Sequence, residues 1–443
     1  MSVPTLEADP ATGPARLSLR APDGGLREPG KPGTSGKPRR PLRAERRAFA
    51  EIPRETWDRL AGLNPWATPF DAWAFHRAWW DAYGESAHEE TVVIVDPAAG
   101  ASAGMGSPIA IVPLMHRHVV EPRDAETHTT IRHGAGVELT PVEPTAKAVY
   151  FGASYHADYA TILADPLDMP DVADAICELL EDETRPNPEH PAPWDVIDLR
   201  RLRRGDPATE ALATAFGHHE MAEGWTLNIE QEDVCPVATI PAGDIDDFLA
   251  TLGKKERHEI RRKVHRAEAI GPVELVECAD PLAPGADGRT DLDVFIDLHQ
   301  ARWGADGLFP DTPGGAASRV FFRRLFELFG TPAEDDVAEG DADAAAPFSG
   351  ALRLSFQMVG AARIAASVHF ETADSILYYN AGVDPEHRTL SPGVLMVEGL
   401  VRRALETGRT RLDFLRGNEG YKYEWGAVDE PIQRLLVRRA VAR

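Results

Sequence analysis

Leu352, Leu354, Phe356 and Met358 alternate with polar neighbours, Val359-Gly360-Ala361 turns the chain, and Ala362, Ile364, Ala366, Val368 and Phe370 alternate back. A period of two on both sides of a glycine turn specifies a β-hairpin, because successive side chains of a strand point to opposite faces. Ser375 to Val383 reads as a third strand. Val394, Val397, Val401 and Ala404 then form the buried stripe of a helix ending near Gly408, and Arg411 to Leu415 as a fourth strand. A strand pair, a strand, a helix and a strand also occur earlier. There Thr91 to Val95, Pro108 to His116 and Tyr159 to Leu163 read as strands, Val172, Ile176, Leu179 and Leu180 as a helix, and Trp194 to Leu199 as a buried strand. The repeat is one of pattern, since the residues themselves do not align. It implies an α/β (α+β) chain of tandem domains, each a mixed sheet flanked by helices.

A chain of 443 residues is too long for one ordinary core. The expected division is a basic, disordered arm over 1–47, a first domain over 48–235 and a second over 236–443. The arm is rich in Pro, Gly and Arg; Arg39, Arg40, Arg43, Arg46 and Arg47 are interleaved with no aromatic residue, as a solvated tail would be. An acidic, alanine-rich stretch, 333–346, reads as a disordered insertion. The 47 Lys and Arg against 71 Asp and Glu give a net charge of −24, which disfavours nucleic acid and anionic membranes as partners and leaves small molecules or saccharides. Cys177, Cys235 and Cys278 are widely spaced, so neither a disulfide framework nor a zinc site is indicated. His116 and His118, with His133 or His156, lack a defined metal-ligand pattern, and no metal is expected. With neither a signal peptide nor a long apolar run, a soluble, cytoplasmic protein is expected.

Beyond these patterns the chain resembles the GNAT superfamily, and within it the acetyltransferases associated with cellulose biosynthesis (the CelD/BcsL type). The resemblance runs through Pro69-Phe70, Trp79-Trp80-Asp81-Ala82-Tyr83-Gly84, Ile109 to Leu114, the basic helix Arg257 to Ala267, Leu298-His299-Gln300-Ala301-Arg302-Trp303 and Ser391-Pro392-Gly393. It closes with the segment from Asp413 to Trp425. The chain is also similar to Fem-type aminoacyltransferases, which carry two GNAT-like domains and a Phe-Lys pair after the last buried strand; here the pair is Tyr421-Lys422.

The resemblance implies acyl transfer from acetyl-CoA or another acyl-CoA, used as a co-substrate with no permanently bound cofactor. In such a fold the third strand splays from the fourth and its backbone receives the donor's pantetheine arm, which points to Tyr379, Asn380, Gly382 and Val383. A helix start attracts phosphate oxygens, so Gly393 and Ser391, with Arg388 and His387 nearby, are candidates for the donor phosphates. Pro392 opening a helix at its first turn explains the same residues without a ligand. The usual GNAT loop, Arg or Gln followed by spaced glycines, is replaced here by Arg388-Thr389-Leu390-Ser391-Pro392-Gly393.

Lys422, Tyr421 and Asp413 are the candidate catalytic residues. Lys422 is read either as an oxyanion stabiliser or as a surface partner of Glu419 or Glu424. Tyr421 or Tyr423 could protonate a leaving thiolate, and Asp413 inside an apolar strand is either paired or a base. His299, Arg302 and Trp303 share a helix face and, with Tyr423, are candidates for the acceptor. The basic helix, from Lys254 to Arg266 around an Ile260-Val264-Ala267 stripe, is either a solvated face or a contact for a phosphate-rich substrate. Two other functions stay open: aminoacyl-tRNA-dependent transfer of the Fem type, and a non-catalytic binding protein on a degenerate fold. Neither the acceptor nor the oligomeric state is fixed by the sequence.

Overall fold

In the computed structural model the described residues are 40–99, 107–117, 139–143, 145–184, 194–330 and 347–439, and Pro41–Arg443 forms one compact unit. The first half contains β1 (Arg43–Arg46), α1 (Arg54–Leu63), α2 (Trp73–Tyr83), β2 (Ala87–Glu89), β3 (Val92–Val95), β4 (Pro108–Val112), β5 (Leu114–Arg117), β6 (Ala148–Phe151) and β7 (Leu163–Ala164). It continues through α3 (Met169–Asp182), β8 (Val196–Arg203), α4 (Pro207–Glu223) and β9 (Thr226–Thr239). The second half contains α5 (Ile245–Thr251), α6 (Lys254–Glu268), β10 (Val273–Glu277), α7 (Asp291–Trp303), α8 (Pro313–Phe329), β11 (Leu352–Val359), β12 (Ala362–Glu371) and β13 (Ser375–Val383). It closes with α9 (Pro392–Glu406), β14 (Arg411–Asp413), α10 (Gly420–Tyr423) and β15 (Val428–Arg438).

The fold is α/β, with a large mixed sheet and a small antiparallel one flanked by helices. Strands β1-β3-β4-β7 make a small sheet, and the others make one continuous sheet in the order β10-β11-β12-β13-β14-β9-β15-β8-β6-β5-β2. Among the described residues only β13 with β14 and β6 with β8 pair in parallel. The border expected near residue 235 therefore falls inside a strand. β9 pairs with β14 on one side and, over Thr226 to Val237, with β15 on the other. On β15, Arg434 donates to Asp198 of β8 at 2.6 and 2.8 Å and to Glu230 of β9 at 3.0 Å, so a buried charge network crosses these strands.

Three local expectations are also corrected. The arm's last residues are structured: Arg43–Arg46 pairs antiparallel with β3, and Arg46 forms a two-bond pair with Glu183, both bonds 2.8 Å. Pro108 to His116 is not one strand. Pro113 has no N–H to give a ladder, its carbonyl accepts from Gly152 N at 2.9 Å, and β4 and β5 on either side join different sheets. Only Leu163–Ala164 of the expected strand from Tyr159 is a strand, because the preceding backbone is drawn to side chains and turns: Thr161 N donates to Asp71 and Ala160 N to the Arg201 carbonyl. Residues 1–39, the insertion 333–346, His118 and His133 lie outside the described residues.

One hydrophobic cluster joins the halves. Phe70, Phe75 and Tyr83 from around α2 meet Phe321, Phe322, Phe370 and Tyr379 from the second half; Phe75 and Phe321 rings lie 5.3 Å apart, edge to face. Burial of such rings is the largest apolar contribution available to this contact. No helix among the described residues is long and apolar enough to cross a membrane.

Candidate functional site

β13 is paired with β14 only through Ser375–Leu377, opposite Arg411–Asp413. Beyond that point β13 runs on to Val383 against β12, while the other chain follows β9, with Phe414 N donating to Pro236 O at 3.0 Å and Gly417 N to Val234 O at 2.9 Å. The strands therefore part, and among the described residues Tyr378 to Val383 have no partner strand on that side. Two cavities open at the gap. One, of about 180 Å³, is lined by Tyr379, Asn380, His299, Trp303, Arg416 and others; the second, of about 400 Å³, lies at the start of α9. Arg302, Tyr378 and Tyr421 line both and so mark where they meet.

The larger cavity has the features of an anion site. Pro392 occupies the first turn of α9, whose N-terminus has no side-chain cap; Ser391, left-handed at φ 58°, instead receives Arg266 Nη2 on its hydroxyl at 2.9 Å. Lys263 and Arg388 add positive charge to the lining. A Cβ added at Gly393 would meet no protein atom within 4 Å, so the space over this helix start is open. Val383, Arg388, Ser391 and Gly393 thus fall in this cavity, whereas Tyr379 and Asn380 fall in the smaller one. Gly382 lines neither. Its absent Cβ would lie 2.6 Å from His299 N and 2.7 Å from Leu298, so glycine there permits α7 to pack against β13.

The expected catalytic trio is divided by the structure. Asp413 is buried, accepts from Tyr159 Oη and from Leu415 N at 2.8 Å each, and burial raises its carboxyl to about 6. It joins the two halves and supports a bend, and it lines neither cavity. Lys422 is buried at 2% exposure. Its Nζ donates to the carbonyls of Leu415, Arg416 and Gly417 at 3.1, 2.9 and 3.0 Å and pairs with Glu419 at 2.9 Å. An ammonium has three protons, so these partners take its full donor capacity. Leu415 between them is left-handed at φ 56°, a conformation disfavoured for a residue with a Cβ, and both its backbone polar groups are held, by Asp413 and by Lys422. Tyr421 alone of the trio stands at the junction, packed edge-on at 6.0 Å against Phe414. Burial raises its pKa, and that of Tyr378, so both hydroxyls stay protonated.

Among the acceptor candidates, His299 is committed. Its Nδ1 donates to Ala381 O at 3.1 Å, its Nε2 accepts from Leu308 N at 3.2 Å, and burial lowers its pKa to about 3. Neither nitrogen is left to take a proton from a substrate. Arg302 lies 4.7 Å over the Trp303 ring and faces both cavities. Tyr423 is 38% exposed, donates to Asp429 at 2.6 Å and lines neither cavity. On the basic helix, Arg261 and Arg262 pair with Asp246 and Glu259, and only Lys263 reaches the larger cavity.

Tyr378 and Arg416 line the site but were not among the sequence candidates. Alternation alone does not tell which of the adjacent tyrosines Tyr378 and Tyr379 reaches the junction. Arg416 was within the terminal segment but carried no signal of burial; charged residues are mostly exposed. Among the described residues no group of His, Cys, Asp and Glu is placed to hold a metal ion.

Residues 254–423 match the family model for an acetyltransferase (GNAT) domain, a span running from the start of α6 to the end of α10 and including both cavities' second-half walls. No curated protein matches the chain. Similar solved structures include FemX, 11% identical over 87% of this chain and 96% of that one, with a TM-score of 0.49. A conserved protein of unknown function from Bacteroides thetaiotaomicron is 11% identical over 90% and 99%, with a TM-score of 0.46. A tandem GNAT protein from the clavulanic acid biosynthesis pathway is 11% identical over 91% and 99%, with a TM-score of 0.42.

Proposed function

We infer that the protein is an acyltransferase that moves an acetyl or other acyl group from acyl-CoA to an amine or hydroxyl of a small acceptor. The observation that carries this reading is the meeting of the two cavities at Arg302, Tyr378 and Tyr421, within the segment that matches a GNAT domain. The co-substrate would supply an activated thioester carbonyl. The open helix start at Gly393, with Arg388 and Lys263, suits its phosphates, because aligned amides and cations both favour an anion there. The unpaired stretch of β13 offers backbone groups to an amide-bearing arm.

At the junction, two protonated tyrosines and a guanidinium supply hydrogen-bond donors where negative charge develops on the carbonyl oxygen and the leaving sulfur. The smaller cavity would hold the acceptor with its nucleophile aimed at the tyrosines. Asp413 and Lys422 act in this reading as positioning residues for the wall that carries Arg416. The resemblance to cellulose-associated enzymes suggests a saccharide acceptor. An aminoacyl-tRNA donor has one observation in its favour, the basic helix α6 bringing Lys263 to the donor cavity, but the −24 net charge opposes a large polyanion.

The test is release of free thiol from acetyl-CoA with candidate acceptors, comparing wild type with the Tyr378→Phe/Tyr421→Phe double variant. Thiol release that needs an acceptor and collapses in the variant supports the reading. Equal rates in both proteins would remove the junction from the chemistry.

A further inference from the structure

Arg416 is 9% exposed, and its Nε and Nη1 are buried without a hydrogen-bond acceptor among the described residues. Asp158 Oδ1 lies 3.2 Å from Nε, close enough to pair in charge but out of line for a hydrogen bond. A buried guanidinium has five donors in a planar fork that matches a carboxylate, and leaving them unmet is costly. The backbone that carries it is also held in place. Its own carbonyl and those on either side are bound by Lys422, and Gly417 N is bound to Val234 O at 2.9 Å. The residue lines the smaller cavity.

The ionised groups around that cavity are balanced. Asp158, Asp306 and Glu419 stand against Arg302, Arg416 and Lys422, while burial keeps His156 and His299 neutral, each with its pKa lowered to about 3. A lining of zero net charge with both signs present favours a zwitterion; a dianionic phosphate would add two uncompensated negative charges to it, and a neutral sugar would bring no carboxylate to the guanidinium.

Resting on the acyltransferase reading above, we propose that the acceptor is a small amino-carboxylate, such as a free amino acid, whose carboxylate is bound by Arg416 and whose amine is presented to Tyr378 and Tyr421. The amine loses a proton to become the nucleophile, its nitrogen bonds to the acyl carbon, and the carbon–sulfur bond breaks. The products are an amide, the free thiol of CoA and one proton. No oxidant or further reactant is needed.

The experiment measures thiol release from acetyl-CoA with the twenty protein amino acids, the corresponding amino-acid amides and glucosamine. At least one amino acid should be acylated, and masking its carboxylate as the amide should lower kcat/KM by about 100-fold, because a site built to bind a charged group rejects its neutral analogue. In Arg416→Gln the acid and its amide should become equivalent, with acetyl-CoA affinity by calorimetry unchanged. If that variant does not fold, the wild-type discrimination of acid from amide still decides. Acid and amide used equally, glucosamine preferred, or no amino acid acylated by a protein that binds acetyl-CoA would overturn the proposal. Failure of wild type to bind acetyl-CoA would instead overturn the acyltransferase reading beneath it.

Discussion

Lys422 holds Arg416 in place: its Nζ lies 2.9 Å from the Arg416 carbonyl oxygen, and its bonds to Leu415 and Gly417 secure the turn on either side. The lysine spends its protons on the protein's own backbone. What it contributes to the cavity is the position of its neighbour.

Loss of this cation should therefore be felt first in stability. Lys422→Met leaves three buried carbonyls without this donor and removes the ion pair to Glu419, and should cost about 3 kcal/mol in urea unfolding. A change below about 1 kcal/mol, the size expected of a surface ion pair, would show that the turn does not depend on it.

Two glycines should separate packing from ligand space. Gly382→Ala places a Cβ within 2.7 Å of the α7 backbone and should destabilise the protein, by about 2 kcal/mol or more. At Gly393 an added Cβ meets no protein atom within 4 Å, and Gly393→Leu replaces a poor helix former, so the melting temperature should hold or rise. Thermal melts of the two variants side by side check this contrast.

The buried imidazole of His299 should leave a mark on pH dependence. Its pKa is lowered to about 3 in the folded chain from about 6.5 unfolded, so between these values the unfolded chain binds a proton that the folded chain refuses. Stability from this group is complete above about pH 6.5 and falls as pH drops. His299→Gln, which can keep a donor toward Ala381 and an acceptor toward Leu308, should lose about 2 kcal/mol less than wild type between pH 6.5 and 4.5. Parallel curves for the two proteins would show that His299 is not held neutral.

Much of the second half is legible because its elements obey one period each. The Val359-Gly360-Ala361 turn, the strand to Val383 and the Val394-Val397-Val401 stripe lie where alternation and helical spacing put them. β9 and β15 carry no such signal. Glu232, Asp233, Pro236 and Pro431 interrupt their apolar runs, and what makes them strands is pairing with each other across some two hundred residues, with Arg434 neutralised by Asp198 and Glu230. That long-range pairing also carries the larger sheet through residue 235, where the sequence pattern suggested a domain border. In the site, a motif could point to the Asp413 to Trp425 segment but not divide its labour. Lys422 and Asp413 give their polar atoms to the protein's own groups, and Arg416 reaches the smaller cavity just beyond the left-handed bend at Leu415.

The central claim is that the cavity at the α9 start receives an acyl-CoA, and calorimetric titration of acetyl-CoA into wild type and Gly393→Leu tests it most directly. Wild type should bind saturably, and the variant, equally well folded, should bind at least about tenfold more weakly because its side chain fills the space over the helix start. No binding by wild type, or equal affinity in the two proteins, would contradict it.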